Sequence, residues 1–153
     1  MQCDDESRPG RPEPMVCYWI NRASRLLIRE GDARLRPYGL AMSYLPVLGA
    51  LADGRPHSQK ELAQSAGVEQ PSMAQTLGRM ERDELIAREP NPNDGRAAIV
   101  SLTRRSRGRF PKAMASLREG NREAMAVLSE DEQETLCALL ERVVRHLEDR
   151  ARE

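Results

Sequence analysis

At 153 residues, with 24 acidic and 24 basic side chains, the chain is long enough for one domain with its own core, too short for two independent ones, and free of a uniformly basic coat. Its three cysteines, Cys3, Cys17 and Cys137, lack CxxC or Cys/His clustering, which argues against a disulfide scaffold or a structural zinc site. No apolar run approaches the roughly 18 residues needed to span a membrane, and the N-terminus lacks an apolar signal core, so the expected location is cytoplasmic.

Residues 1–14, with Pro9, Gly10, Pro12 and Pro14, read as a disordered lead-in. From Met15 to about Arg36 the pattern is helical, with Val16, Trp19, Ile20, Ala23, Leu26 and Leu27 on one broad face, until Pro37-Tyr38-Gly39 breaks it. A shorter helix is expected from Ser43 to Ala52, with Pro46 in its first turn, where a missing N–H is harmless. Asp53-Gly54-Arg55-Pro56 is a turn. Ser58-Gln59-Lys60-Glu61 is then a capping box that opens a helix of about two turns, carrying Leu62, Ala63 and Ala66 and ended by Gly67. Gln70-Pro71 starts the next helix, with Pro71 suited to its first position. Its apolar side is Met73, Leu77 and Met80; its other side is Ser72, Gln75, Thr76, Arg79 and Arg82, polar without being acidic.

The period then changes. Leu85-Ile86-Ala87-Arg88 and the run from Ala97 to Leu102 read as two short strands around a turn-rich tip, Pro90 to Arg96. A long helix follows from about Thr103 to Leu128, with Phe110, Met114, Leu117, Ala124 and Met125 as its stripe. A second capping box, Ser129-Glu130-Asp131-Glu132, opens the last helix, where Leu136, Leu139, Leu140, Val143, Val144 and Leu147 recur at helical spacing.

Two short helices joined by a tight glycine-containing turn and followed by a β-hairpin describe a winged helix-turn-helix. The expected fold is mainly α with a small β-hairpin wing: a winged helix-turn-helix at about 43–102 plus helices at about 15–36 and 103–151. The apolar stripes of the last two helices are too wide for a lone hairpin and call for a second chain. A helix fits the DNA major groove, short polar side chains near its N-terminus reach base edges, and a hairpin arginine can enter the minor groove. Charge by region agrees mildly. Residues 55–109 hold ten Arg/Lys against seven Asp/Glu, whereas residues 110–153 hold seven against ten. All basic residues but Lys60 and Lys112 are arginine, which suits phosphates and guanine edges, although genomic base composition would produce the same bias.

Glu61-Leu62-Ala63, then Gly67-Val68-Glu69-Gln70-Pro71-Ser72, then Asp94-Gly95-Arg96-Ala97 and Leu102-Thr103 stand in an order and spacing that resemble the MarR family, and within it the SlyA-type regulators. The resemblance runs from about Met15 to Leu147 and is strongest over residues 58–103. It implies a single domain over 15–153 that forms a triangular homodimer, with interlocked terminal helices, binding pseudo-palindromic double-stranded DNA. By position it implies base reading by Pro71, Ser72 and Gln75, with Thr76 and Arg79 on the same face, a wing arginine at Arg96, and Asp94 orienting it. Two positions depart from the pattern. Similar SlyA-type proteins have arginine where this chain has Gln75, and glutamine prefers the adenine edge where arginine prefers guanine. Glu84 stands where the family usually has glycine; if that residue is left-handed, glutamate costs on the order of 1 kcal/mol there.

The resemblance further implies an effector cleft bordered by Trp19, Arg22, Arg25, Tyr38 and Ser43, in which Arg22 and Ser43 would hold an aromatic carboxylate under Trp19 or Tyr38. The implied function is a transcriptional repressor released by a small aromatic or phenolic effector. Two alternatives stand beside it. Cys17 has the spacing of the family's hydroperoxide-sensing branch, but Asn21 and Met42-Ser43 lack that branch's tyrosines, which favours an inert thiol. A winged-helix protein-interaction module without DNA binding is the other, and a non-acidic recognition face with Asp94 and Arg96 in place argues against it. His57 and His146 are isolated, so no metal is expected. There is no nucleophile elbow, phosphate loop or carboxylate pair, and 3% aromatic residues leave little for a cofactor pocket, so neither an enzyme nor a cofactor is expected.

Overall fold

The structure, a computed structural model, describes residues 15–91 and 94–152, with the backbone alone at 94–97. The lead-in expected at 1–14 lies outside the described residues.

Helix α1 (Val16–Leu35) ends where Arg36–Tyr38 tighten into one 3₁₀ turn and Gly39 turns left-handed at φ 68°. A second 3₁₀ turn, Met42–Tyr44, leads into α2 (Leu45–Ala50), with Pro46 in its first turn. The helix expected from Ser43 to Ala52 is therefore shorter at both ends, because Tyr44 turns inward as a buried residue before the α-helical bonds begin.

A two-residue strand, β1 (His57–Ser58), precedes α3 (Gln59–Ala66). At the start of α3 both halves of the expected capping box form: Ser58 Oγ accepts from the Glu61 N–H at 3.3 Å, and Glu61 Oε2 accepts from the Ser58 N–H at 2.7 Å. The helix closes at Gly67, φ 63°, with the Val68 N–H donating back to Ala63 O at 3.1 Å. Only glycine takes that left-handed step without strain, and it turns the chain straight into α4 (Gln70–Arg82).

The wing is β2 (Ile86–Asn91) against β3 (Asp94–Leu102), antiparallel, with Ile86 opposite Leu102, Arg88 opposite Val100 and an irregularity between Pro90 and Asn91. Both strands run further toward the tip than the alternation predicts. Strand β1 adds to the other edge of β3, with His57 opposite Val100, giving the order β1-β3-β2. Two residues are too few to show a period, so β1 is invisible in the sequence.

Two long helices follow, α5 (Arg104–Met125) and α6 (Glu130–Arg150), each opened by a hydroxyl cap, Thr103 and Ser129. The buried line of α5 is Ser106, Ala113 and Gly120, seven residues apart. It differs from the expected stripe: Phe110, Met114, Leu117, Ala124 and Met125 are only half-buried beside it. Small side chains let α5 approach its neighbours closely, and at Gly120 an added Cβ would collide with the Arg34 guanidinium of α1.

The core is centred on the winged domain, with Leu35 of α1 and Ala113 of α5 packed into it. Leu35, Leu48, Leu51, Leu62, Met73, Leu77, Met80, Leu85 and Val100 are almost wholly buried. The terminal helices are the opposite. Val16, Trp19, Leu26 and Ile28 of α1 are exposed, and α6 buries no residue, leaving Leu136, Leu139, Leu140, Val143, Val144 and Leu147 between 36% and 55% exposed. No helix among the described residues is long and apolar enough to cross a membrane.

Candidate nucleic-acid interface

Helix α4 is fastened by one side and free on the other. Met73, Leu77 and Met80 are 2%, 0% and 0% exposed and hold it to the core, so its opposite face is fixed in direction. That face carries Pro71, Ser72, Gln75, Arg79 and Arg82, all exposed, with Thr76 half-buried at its edge. Pro71 occupies the first turn, where its missing N–H removes no helical bond, and no side chain caps the N-terminus. Uncapped N–H donors there attract anions such as phosphate. In the last turn Arg79 and Arg82 sit at the end that favours cations. Neither arginine makes an ion pair among the described residues, whereas the neighbouring Glu81 is taken up by Arg88 at 3.1 Å.

The six side chains are not equal. Thr76 Oγ1 donates to the Ser72 carbonyl at 3.1 Å, so its proton is engaged within the helix, leaving its methyl and lone pairs to face outward. Gln75 makes no such bond among the described residues, and its amide carries both a donor and an acceptor. The backbone at Asp94 and Arg96 belongs to β3 at the wing tip; their side chains lie outside the described residues.

The far end of α4 is tied down from two directions. Asp83, its C-cap, accepts from the Tyr44 hydroxyl at 2.9 Å. Tyr44 is buried, and its pKa is raised above the ordinary tyrosine value, first by that burial and then by its hydrogen bond to Asp83 and that residue's charge. It therefore remains a donor. Glu84 is left-handed at φ 58°, the strain anticipated for a residue standing where glycine is usual. Its carbonyl accepts from Thr103 Oγ1 at 2.8 Å, its carboxylate pairs with Arg105, and the next carbonyl, Leu85 O, accepts from Ser106 Oγ at 2.5 Å. The arginines from Arg104 to Arg109 thus begin a helix that is bonded to the end of α4.

A cleft of about 400 Å³ lies between α1, the Met42–Tyr44 turn and α5. Leu27, Met42, Met114 and Leu117 make its apolar walls, with Arg34 and Arg118 among its charged groups. Arg34 is paired with Glu30 and Glu123, while Arg118 has no ion pair among the described residues. None of Trp19, Arg22, Arg25, Tyr38 and Ser43 lines this cleft. Trp19 lies exposed on α1 with its ring edge-on to Tyr18 at 5.2 Å, and Arg22 and Arg25 are exposed on the same helix. Tyr38 is half-buried and accepts at its carbonyl from Arg109, and Ser43 is exposed beside Met42. The sequence signal that does mark the cleft is the pair of glycines inside helices, Gly31 and Gly120.

Cys17 and Cys137 are exposed in the single chain. His146 is exposed on α6, and His57 stands 3.9 Å from Asp53 Oδ1 with its Nε2 buried and without a hydrogen bond among the described residues. No three His, Cys, Asp or Glu side chains among the described residues converge to hold a metal.

Comparison with known proteins fits this geometry. A profile of the MarR family matches residues 38–97, from the 3₁₀ turn into β3. The uncharacterized HTH-type transcriptional regulator YwoH of Bacillus subtilis is 27% identical over 124 residues, 81% of this chain and 90% of its own length. Among solved structures, the MOSR transcriptional regulator of M. tuberculosis, in complex with DNA, is 27% identical, with coverage of 87% and 98% and a TM-score of 0.69. A probable transcriptional regulator from Pseudomonas aeruginosa is 30% identical, with a TM-score of 0.68 and coverage of 81% of this chain and 96% of its own. With the helix-turn-helix, the wing and the flanking helices all aligned in this way, the chain belongs to the MarR family of transcriptional regulators.

Proposed function

We propose that the protein is a homodimeric, sequence-specific double-stranded DNA-binding regulator, a repressor that a small aromatic carboxylate releases from its operator. The observation that carries the DNA-binding part is the outward face of α4. A helix anchored by three buried side chains presents Ser72, Gln75, Arg79 and Arg82 to solvent without an acidic residue among them. Such a helix seats in the major groove, with Ser72 and Gln75 toward base edges and the arginines toward phosphates. Arg96, oriented by Asp94, is the minor-groove contact of this reading.

Dimerisation is supported by the apolar ridge of α6 and the exposed face of α1. Six leucines and valines at helical spacing, none buried within the chain, call for a second copy of the same surface. Two-fold symmetry then brings two α4 helices to two half-sites of a pseudo-palindrome. The effector part rests on the cleft between α1 and α5, whose volume of about 400 Å³ suits a small organic molecule. Its apolar walls would take a ring and Arg118 a carboxylate, while binding at Arg34 would compete with Glu123. A regulator of this kind acts beside the chromosome, in the cytoplasm.

The test is a mobility shift with the DNA flanking the protein's own gene, at several stated salt concentrations. The reading predicts a discrete complex that survives excess random DNA and weakens steeply as salt rises. Equal competition by random DNA would refute sequence-specific binding.

A further inference from the structure

We infer that Tyr44 is a positioning residue that couples the α1–α5 cleft to the recognition helix, through its hydrogen bond to Asp83. The inference rests on the regulatory reading above and adds to it the route by which occupancy of the cleft reaches DNA.

Three observations make the route continuous. Met42 forms part of the cleft wall and lies against α1 at Gly31, where an added Cβ would collide with its Sδ and stand 2.9 Å from its Cγ. The same residue is tied to α1 by its backbone, whose N–H donates to Asp32 Oδ1 at 2.7 Å. Two residues on, within one 3₁₀ turn, Tyr44 enters the core and donates to Asp83 at the end of α4. Only Ser43 separates the two residues within that turn, so a backbone displacement at Met42 is passed to Tyr44.

The other wall of the cleft reaches the same junction. Helix α5 supplies Met114, Leu117 and Gly120 to the cleft, and its first turn bonds Glu84 and Leu85 through Thr103, Arg105 and Ser106. Asp83–Leu85 is therefore held between the two cleft walls, with the left-handed Glu84 at its centre. A molecule that parts α1 from Met42 pulls on Asp83 while α5 holds the next two residues, which turns α4 relative to the wing. The buried inner face of α4 ties its outer face to the core, so a rotation about its C-terminal end carries that packing with it and changes the angle at which Ser72 and Gln75 meet the groove.

The experiment needs no knowledge of the effector, because Gly31→Ala sets a methyl against the Met42 thioether, so that the side chain or the turn that carries it must shift. Affinity is measured by fluorescence anisotropy, on a duplex enriched by the parent protein from a randomised library. The proteins are the parent, Gly31→Ala, Tyr44→Phe, the double variant, and Gly31→Ala combined with Asp83→Asn, each checked by circular dichroism. Gly31→Ala is expected to weaken binding by about tenfold when Tyr44 is present and by less than about twofold in the Tyr44→Phe background. Asp83→Asn keeps an oxygen that accepts from the phenol, so in that background the loss should return to about tenfold. If Gly31→Ala does not fold, Met42→Phe displaces the same wall and is carried through the same cycle. Equal losses in the parent and Tyr44→Phe backgrounds, or no loss from either wall variant, would overturn the coupling and leave DNA binding standing. Failure of the parent to enrich any duplex would overturn the regulatory reading and the coupling together.

Discussion

Single residues decide what the outer face of α4 can read. Gln75 is exposed and its amide has no hydrogen bond among the described residues, so Gln75→Ala should flatten base preference more than it lowers affinity for random DNA. Anisotropy titrations against duplexes substituted one base pair at a time measure this; an unchanged preference profile would remove Gln75 from the reading face. Arg96→Ala should weaken operator binding by about 1–3 kcal/mol without dissociating the dimer. Unaltered affinity in a mobility shift would remove the wing arginine from the interface. Glu84 is a different kind of residue, strained by its φ of 58°, with its carboxylate in an exposed ion pair with Arg105. Glu84→Gly should relieve about 1 kcal/mol and lose a fraction of that with the pair, for a small net gain in the urea midpoint at fixed protein concentration. A lower midpoint would show that the Arg105 contact outweighs the backbone strain. The left-handed step was legible in the sequence only through resemblance, since nothing in the local pattern of Asp83-Glu84-Leu85 asks for it.

At the scale of elements, what could be read in advance was whatever chemistry is local. Ser58 with Glu61, Ser129 with Glu132 and Gly67 each mark a helix end by bonds to residues within three or four positions, Pro71 marks one by its own missing N–H, and each end forms there. The face of α4 was legible for the same reason, because Met73, Leu77 and Met80 fix which side is buried. What depends on distant partners was not. Strand β1 exists only because β3 lies beside it, and the line Ser106, Ala113, Gly120 is set by distant partners, Leu85 at Ser106 and Arg34 of α1 at Gly120. The cleft is a still more distant product, joining residues near position 30 to residues near 118, and the five residues that the resemblance sets around an effector are not part of its lining. The capping box of α3 has a pH signature. Hydrogen bonds from the Ser58 backbone and side chain hold the Glu61 carboxyl below its ordinary value. Its contribution is therefore complete above the ordinary glutamate pKa and is lost as pH falls through the lowered folded value. Ser58→Ala should cost about 1 kcal/mol at neutral pH, and the gap between variant and parent should narrow in acid. A gap independent of pH in denaturant titrations would show that Glu61 takes no part in the cap.

For the whole molecule, stability and DNA reading are one problem. The core of the winged domain is closed within one chain, but the ridge of α6 and much of α1 are left in water unless a second copy covers them. Leu140 and Leu147 lie on that ridge, and truncating both to Ala should cost several kcal/mol, making unfolding midpoints depend more strongly on protein concentration. A folded, concentration-independent monomer for the parent protein would reject the dimer. The claim on which the rest depends is that two symmetry-related α4 helices read one duplex. Selection of binding sites from a randomised duplex library by the full chain tests it most directly. Two such helices should enrich an inverted repeat whose half-site centres lie roughly 10 base pairs apart, or a multiple of that; a single unrepeated half-site, or no enrichment at all, would contradict a paired reading.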